Sequence, residues 1–427
     1  LPILSPIAQF SSDSFTIREP YGVVLIMSPW NYPFMLTIEP LIGAIAAGNC
    51  CVVKPSAYAP ATSAVICKIL RECFPEEYVL AVEGGRVENQ ALLDQRFDYI
   101  FFTGSVTVGK EVMAKANEEK SGDKLAGLAA ESAEERVAAK IVLSQITLED
   151  LRNNPAVPYE TDEVTRIIQD DINEPIYSEI KRMTVSELRE WILDEETTGE
   201  MIRRISRGLT SEMVAAVAKI MSNLDLVYGA RKIRVTAHCN TTIGEEGTLS
   251  SRLQPNHPTD DPDGIMASLL EGLTYGAGDA LLGLNPVDDS AESVARVLHR
   301  FEEVKQKHQI PTQTCVLAHV TTQMEAIRKG APADLIFQSI AGSEMGNTAF
   351  GFNAATIEEA RHLALTKGTA QGPNVMYFET GQGSELSSEA HHDTDQVTME
   401  ARCYGFARHF SPFLVNTVVG FIGPEYL

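Results

Sequence analysis

Polar side chains follow a series of short apolar segments in the second half of the chain, and their types suit the binding of a small cation. One carboxylate, that of Glu379, stands among amide and guanidinium groups. A carboxylate can pair with an ammonium while amides hold a hydroxyl, so a substrate with an amine and a hydroxyl would suit this set. The set comprises Arg252, Gln254, Asn256, Asn285, His319, Gln338, Glu379, Gln382 and Asn416.

Each of these residues also has a simpler interpretation. A single Asn or Gln at a strand end more often makes a structural hydrogen bond at the edge of the sheet than it binds a ligand. The repetition of polar residues at the ends of six segments is what favours a binding site. His391 and His392 lie beside Asp393 in a charged, Ser-rich loop. They lack the spacing of a zinc site, so no metal is predicted.

Six apolar segments predict the strands that position this set: GTLSSRLQPN, DALLGLNP, TQTCVLAHV, DLIFQSIAG, NVMYFETGQG and PFLVNTVVGF. Helices alternate with several of them; apolar residues recur at helical spacing over Val294–Val304, and Thr356 with Glu359 predicts a capping box. Apolar strands that alternate with helices favour a parallel (β/α)8 barrel of the TIM type. Six units are visible, so an incomplete barrel is expected over 233–427.

The regions before the barrel have a different character. Residues 110–232 are polar and helical, with Thr147–Asp150 and Thr184–Glu187 fitting capping boxes. Residues 1–109 alternate strand and helix through VVLIMS, CCVVKPS and YIFFTGS, which predicts a Rossmann-like α/β fragment with parallel strands. Three domains are therefore expected, with boundaries near 109 and 232.

Composition excludes several classes of function. The 58 acidic and 35 basic side chains give a formal net charge of -23, which repels nucleic acid. Seven cysteines without a C-x-x-C pair argue against a disulfide framework and indicate reduced, cytoplasmic thiols. Prolines interrupt the longest uncharged run, so no membrane segment or export signal is predicted. The chain opens with Leu1, and an incomplete product is expected.

Longer stretches resemble the large chain of ethanolamine ammonia-lyase. They are VTAHCNTTIGEEGTLSSRLQPNHPTDDPDGIMASLLEG, DALLGLNPVDD, CVLAHVTTQMEAIRKGAPADLIFQSIAGSE, VMYFETGQGSELS and VNTVVGFIGPEYL, preceded by NNPAVPYETDEVTRIIQDDINE. The resemblance runs from about Lys110 to Leu427. The family continues beyond GFIGPEYL with its remaining barrel strands and another acidic substrate contact, which leaves the activity of a truncated chain open.

This resemblance implies an adenosylcobalamin-dependent radical lyase that converts ethanolamine to acetaldehyde and ammonia. The implied substrate contacts are Arg252, Gln254, Asn285 and Glu379. Glu379 would pair with the substrate ammonium, and the other three would hold the hydroxyl and orient the migrating amine. The implied cobalamin-facing positions are Pro286, Gln338, Phe350 and Ser387. The family forms homo-oligomers of large chains with a small partner chain, in the cytoplasm or inside a bacterial microcompartment.

The segments SPWNYPF, GNCCVVKPS and FFTGSVTVGK resemble consecutive motifs of the NAD(P)-dependent aldehyde dehydrogenases. By that resemblance, Asn31 would donate to an oxyanion and Lys54 would reach the cofactor ribose, while Gly104 and Ser105 would open the phosphate-side helix. Taken singly, Asn31 is better explained as a turn residue and Lys54 as a solvated strand end. NAD(P) is therefore a weaker expectation than adenosylcobalamin.

The dehydrogenase-like segment lacks that family's nucleophile and general base, because Cys50 and Cys51 are interpreted as core thiols of a strand. Its last residues, GKEVMAKAN, fit both families, which suggests a recombined, misassembled or deliberately fused gene. Three hypotheses follow: a lyase chain, a catalytically inactive chimeric fragment or assembly component, and an NAD(P) module that handles the acetaldehyde product.

Overall fold

The computed structural model describes residues 19–93, 95–102, 106–118, 120–380 and 390–417, with the backbone of two short strands at 2–3 and 14–15. The chain divides into two compact units, Leu1–Val112 with Ala133–Val142, and Met113–Ser132 with Leu143–Leu427. Both units combine helices with parallel sheets, which confirms the α/β class. No helix in the described part of the chain is long and apolar enough to cross a membrane.

The first unit is organised around a parallel sheet. Its elements are β1 (Pro2–Ile3), β2 (Ser14–Phe15), β3 (Val23–Met27), α1 (Met35–Ala46), β4 (Cys50–Lys54), α2 (Pro60–Cys73), β5 (Val79–Ala81), α3 (Arg86–Leu93), β6 (Tyr99–Phe102) and the start of α4 (Val106–Lys115). Strands β3 to β6 are parallel in the order β5-β4-β3-β6, and β1 pairs with β2 antiparallel. The three predicted strands are present; β5 escaped prediction because its three residues are too few to show a pattern.

The helices predicted for residues 110–232 are present. They are α5 (Ser121–Leu125), α6 (Ala133–Gln145), α7 (Leu148–Asn153), α8 (Glu163–Asp170), α9 (Glu174–Ile180), α10 (Val185–Leu193), α11 (Gly199–Ile205), α12 (Ser211–Ile220) and α13 (Asn223–Lys232), with 3₁₀ turns at Tyr159–Thr161 and Ser206–Gly208. The predicted capping boxes are present at Thr147, which opens α7, and at Thr184, which opens α10. Each cap satisfies backbone N–H groups that the helix itself leaves unbonded, and is worth about 1 kcal/mol.

The remaining elements alternate strand and helix. They are β7 (Ala237–His238), β8 (Thr242–Ile243), β9 (Arg252–Leu253), α14 (Pro262–Thr274), β10 (Leu281–Leu284), α15 (Ala291–His308), β11 (Thr314–Val316), α16 (Val320–Arg328), β12 (Ile336–Ile340), α17 (Glu344–Ala349), α18 (Ala354–Lys367), β13 (Met376–Thr380), α19 (Gln396–His409) and β14 (Leu414–Asn416). All six predicted strands are therefore present as β9 to β14. The capping box at Thr356 is wrong, because α18 begins earlier and Asn353 is its N-cap, accepting from the Thr356 N–H at 3.0 Å.

Strands β9 to β14 are parallel and follow one another in space as they do in the chain. Two three-stranded ladders, β9-β10-β11 and β12-β13-β14, are formed. A backbone hydrogen bond from Leu335 N to Thr314 O, 3.1 Å long, links β12 to β11. The parallel direction brings the carboxyl ends of all six strands to one edge, which is where the sequence concentrates its polar residues.

Side chains along these strands alternate between two apolar clusters. One cluster contains Leu281, Cys315, Phe337 and Tyr377, and the other, on the helix side, contains neighbouring strand residues such as Phe378. Successive residues of a strand point to opposite faces, so both faces of the sheet are buried. Burial of each large apolar side chain contributes about 1.5–3 kcal/mol, which explains the near-continuous apolar runs in the sequence.

A buried ionic network joins the helical region to α19. The fully buried guanidinium of Arg402 donates to Asp162 Oδ2 at 2.8 Å and to Glu212 Oε1 at 2.5 Å. Beside it, the buried ammonium of Lys219 donates to Asp395 Oδ2 at 2.6 Å. Buried charges of this kind are tolerated because each one is paired, so the network fixes the position of α19, which precedes β14.

Candidate active site

The candidate site begins with two strand-end residues far apart in sequence. Arg252 on β9 and Glu379 on β13 are 127 residues apart, and Nη1 of the guanidinium donates to Oε1 of the carboxylate at 2.6 Å. The other guanidinium nitrogen, Nη2, donates to Gln254 Oε1 at 3.1 Å. The side chains of Arg252 and Glu379 remain 24% and 19% exposed, so the pair is accessible to a small molecule. Three of the four predicted substrate contacts are thus brought together.

Two further residues bind the same carboxylate. Tyr377 donates its hydroxyl to Glu379 Oε1 at 2.6 Å and also contacts Arg252 Nη1, and Asn416 on β14 donates to Oε1 at 3.1 Å. The sequence-derived set contains Asn416 but misses Tyr377. Residues two apart on a strand share a face, so the spacing of Tyr377 and Glu379 in MYFET is the signal that could have found it.

The electrostatics of the site favour an ionised carboxylate. Burial alone opposes ionisation of Glu379, but hydrogen bonds from Tyr377, Arg252 and Asn416 outweigh burial and hold its pKa below the usual value. Burial and the adjacent carboxylate both raise the pKa of the Tyr377 phenol, and burial raises that of the Cys315 thiol. The phenol and the thiol are therefore neutral beside a charged carboxylate and a charged guanidinium.

Asn285 lies on the loop after β10, and the preceding loop holds its backbone. Asn256 Oδ1 accepts from Asn285 N at 2.9 Å. Asp260 Oδ2 accepts from Val287 N at 2.8 Å and from Asp288 N at 2.7 Å. Asp260 is 6% exposed and adopts the left-handed backbone conformation, φ 50°, that Asp tolerates. The Asn285 side chain is exposed. Among the described residues it has no hydrogen-bond partner that would orient its amide toward Glu379.

The predicted cobalamin-facing residues occupy different settings. Pro286 and Phe350 are half-buried on loops after β10 and α17. Gln338 is 4% exposed, and its amide accepts from Val320 N at 2.9 Å and donates to Ser339 O at 2.9 Å. The remaining member of the set, Ser387, and the nearby Gln382 lie outside the described residues. The assignment of this set to a cofactor stays a prediction.

His319 links two of the strand-end loops. Its Nδ1 accepts from the Thr321 backbone N–H at 3.3 Å, and its Nε2 lies 2.8 Å from the carbonyl oxygen of Phe350. An N–H must donate and a carbonyl must accept, so both contacts require the neutral tautomer with hydrogen on Nε2. His319 therefore holds the backbone of Phe350 and caps α16.

The residues predicted from the dehydrogenase resemblance do not form a comparable cluster. Asn31 is exposed in the bend before α1. Lys54, at the end of β4, is 3% exposed and donates to Pro55 O at 2.9 Å, so its interpretation as a solvated strand end is wrong. Burial lowers the Lys54 pKa, opposed by the charge of Glu88. Gly104 and Ser105 lie outside the described residues.

The cysteines and histidines add no metal site within the described residues. No group of three or more His, Cys, Asp or Glu side chains there could hold a metal ion. All seven cysteines are free thiols, and burial raises the pKa of Cys51 to about 11. Cys51 is a core thiol, as predicted, whereas Cys50 is half-buried in the same strand.

A parallel sheet between helices, whose strand ends bring one ionised carboxylate together with a guanidinium and amides, is typical of enzymes of the α/β class. The family model described as "Ethanolamine ammonia lyase large subunit (EutB)" matches residues 106–427, and the chain belongs to this family of ammonia-lyases. The ethanolamine ammonia-lyase large subunit of Escherichia coli (strain K12) is 59% identical over 318 residues, 74% of this chain and 70% of that protein. The large subunit of Salmonella typhimurium is 60% identical over the same length.

The beginning of the chain is similar to a second family. The family model described as "Aldehyde dehydrogenase family" matches residues 5–133. An aldehyde dehydrogenase of Craterostigma plantagineum is 50% identical over 114 residues, which cover 27% of this chain and 24% of that protein. The two family matches overlap over 106–133, the stretch that contains GKEVMAKAN. The chain therefore joins segments similar to two different enzymes, as the sequence predicts.

Proposed function

We propose that the chain is the catalytic large subunit of an adenosylcobalamin-dependent ethanolamine ammonia-lyase, which converts ethanolamine to acetaldehyde and ammonia. The observation that carries this proposal is the convergence of Arg252, Gln254 and Glu379. These residues offer one ionised carboxylate and several hydrogen-bonding groups, which is what an amino alcohol requires. Membership of the lyase family supports the same substrate.

Each site residue has a defined task in this proposal. Glu379 pairs with the substrate ammonium in a charge-assisted hydrogen bond. Gln254, Asn285 and Arg252 hold the hydroxyl and thereby orient the migrating amine. Together they would keep the bound substrate in one geometry, so their contribution is positioning.

The strand-end loops fit a large polar cofactor. Two deeply buried polar atoms have no partner among the described residues, although buried polar groups are normally bonded: Asp260 Oδ1 on the loop after β9 and Asn347 Nδ2 in α17. Adenosylcobalamin, when bound, would supply the radical chemistry. Pro286 and Phe350 would hold it, together with Gln338 and, outside the described residues, Ser387. Besides positioning the substrate, this part of the chain would shield the bound cofactor and substrate from water.

We also propose that strands β9 to β14 belong to a (β/α)8 barrel. Its support is the parallel direction, the sequential order of neighbouring strands and the polar residues at their carboxyl ends. The division into a helical region over 110–232 and a barrel over 233–427 is part of this proposal. By family, the partners would be further large chains and a small chain, in the cytoplasm or a bacterial microcompartment.

The decisive experiment measures ammonia release from ethanolamine with adenosylcobalamin and the small partner chain. Glu379→Gln should lower kcat/KM by roughly 100-fold, because a hydrogen bond to a charged group is worth about 1.5–3 kcal/mol. Glu302→Gln is the matched control, since Glu302 on α15 is also partly buried and pairs with a cation, Lys305. Equal turnover of the parent and Glu379→Gln, or no turnover by the folded parent, would contradict the proposal.

A further inference from the structure

The phenol of Tyr377 lies where the apolar interior meets the charged pair, and it contacts both partners of that pair. We propose that Tyr377 is a positioning residue of the lyase reaction, which holds the Glu379 carboxylate so that Oε1 is occupied and Oε2 faces the substrate ammonium. This inference rests on the proposed function.

The distribution of hydrogen bonds over the two carboxylate oxygens gives the first argument. Arg252, Tyr377 and Asn416 all donate to Oε1. No described residue donates to Oε2. A carboxylate oxygen can accept two or more hydrogen bonds, so Oε2 keeps its full capacity for an ammonium. Three donors from three strands fix the rotation of the group and thereby decide which oxygen is presented.

The rigidity of the Tyr377 ring gives the second argument. The residue is fully buried in the apolar cluster, and its ring centroid is 5.2 Å from that of Phe337. The hydroxyl therefore cannot swing away when a ligand arrives, whereas Arg252 and Asn416 are half-exposed. A donor whose position is fixed by packing is better suited to orient a carboxylate than a flexible one.

The third argument concerns charge. The titratable groups that face Glu379 are Arg252 from β9, Tyr377 from its own strand and Cys315 from β11; Asn416 from β14 is neutral. Of these, Arg252 and Tyr377 donate hydrogen bonds to the carboxylate. Loss of either donor makes ionisation of Glu379 less favourable, so its pKa rises and ammonium binding fails at a higher pH.

The experiment compares Tyr377→Phe with Tyr159→Phe. Tyr159, on the 3₁₀ turn Tyr159–Thr161, also donates to a carboxylate, Asp170 Oδ1 of α8 at 3.0 Å, and so provides a matched control. The Glu379 titration is followed by carbon-13 NMR of glutamate-labelled chain, with the signal assigned by its loss in Glu379→Gln. Ethanolamine KM, kcat and adenosylcobalamin affinity are measured on the complex with the small chain.

Tyr377→Phe should raise the pKa of Glu379 by about one unit and raise KM by roughly tenfold, with a smaller change in kcat and unchanged cofactor affinity. The acid limb of kcat/KM should move to higher pH by the same amount. Asn416→Ala, which removes a different donor from the same oxygen, should shift the pKa in the same direction. Tyr159→Phe should leave all of these values at the parental level.

Two outcomes would overturn the inference: a Glu379 pKa in Tyr377→Phe and Asn416→Ala that equals the parental value, or a loss of folding and cofactor affinity in proportion to the loss of turnover. If the parent chain releases no ammonia, the proposed function fails. The NMR titration still decides whether Tyr377 controls the ionisation of Glu379, because it requires neither substrate nor turnover.

Discussion

In both units, residues at or near strand ends match the functional motifs of an enzyme family, but only in the second unit do they contact one another. In the first unit, Lys54 is buried against the carbonyl of Pro55, and Asn31 is exposed in a bend. In the second unit, Arg252 meets Glu379 at 2.6 Å. A matching motif supplies the residue types. A strand-end side chain forms part of a binding site only when a complementary side chain from another strand contacts it.

The same contrast holds for the buried cations. Arg402 in the second unit is fully buried and bonded to two carboxylates, whereas Lys54 in the first unit is bonded to a neutral carbonyl. Removal of a paired buried cation leaves anions without compensation, whereas removal of an unpaired one relieves a cost. Substitutions with opposite expected signs can therefore test the comparison.

The largest expected effect is that of Arg402→Met. It leaves Asp162 and Glu212 buried without their cation and should lower the free energy of unfolding by about 3–5 kcal/mol. Urea unfolding followed by the fluorescence of Trp191, with Trp30 replaced by Phe, reports on the second unit. The control is Arg71→Met in the first unit, followed by the fluorescence of Trp30 with Trp191 replaced by Phe. It breaks the exposed pair with Glu83 and should cost less than about 1 kcal/mol. Equal losses would break the comparison.

The next effect concerns Asp260, whose carboxylate accepts from the backbone N–H groups of Val287 and Asp288 on the Asn285 loop. Asp260→Ala should lower kcat/KM for ethanolamine by roughly tenfold, because two partly buried backbone N–H groups lose their acceptor. Asp261→Ala is the control: Asp261 is the N-cap of α14, so its loss should cost about 1 kcal/mol of stability with little change in turnover. If both variants turn over alike, Asp260 has no role in positioning Asn285.

The smallest effect is that of Lys54→Met. Burial lowers the folded-state pKa of Lys54, so the parent loses stability as the pH falls through that pKa. Methionine carries no charge, so the variant should be more stable than the parent by up to about 1 kcal/mol at neutral pH. The gain should vanish above the unfolded lysine pKa near 10.5. Hydrogen exchange of β4 across this pH range measures it, and a destabilised variant at neutral pH would show that the charge is needed.

Much of the fold could be predicted from sequence because local patterns suffice for it. Strands β10 to β13 are buried along almost their whole length, and the caps at Thr147 and Thr184 use residues three positions apart. The cap at Thr356 was wrong because two overlapping patterns compete there, and Asn353 binds the Thr356 N–H instead. The two-residue strands of the hairpin β7–β8 were missed because they are too short to show alternation.

The site was predictable in its residue types but not in its connections. Glu379, Arg252 and Gln254 could be named from strand ends and from family resemblance, yet their hydrogen bonds depend on the register of β13 against β12 and β14. Tyr377 could not be predicted as a site residue, because a tyrosine inside an apolar run is typical of a core residue. Its hydroxyl belongs to the site only because it contacts Glu379 and Arg252 in the folded chain.

The sequence separation of Arg252 and Glu379 has a consequence during synthesis. Because 127 residues separate them, the ribosome, adding roughly 5–20 residues per second, makes the guanidinium several seconds or more before its carboxylate. Asn416, which donates to the same oxygen, emerges later still. Until then Arg252 must stay hydrated at the edge of a growing sheet. The contact most important for the proposed chemistry thus cannot form until strand β13 has been synthesised.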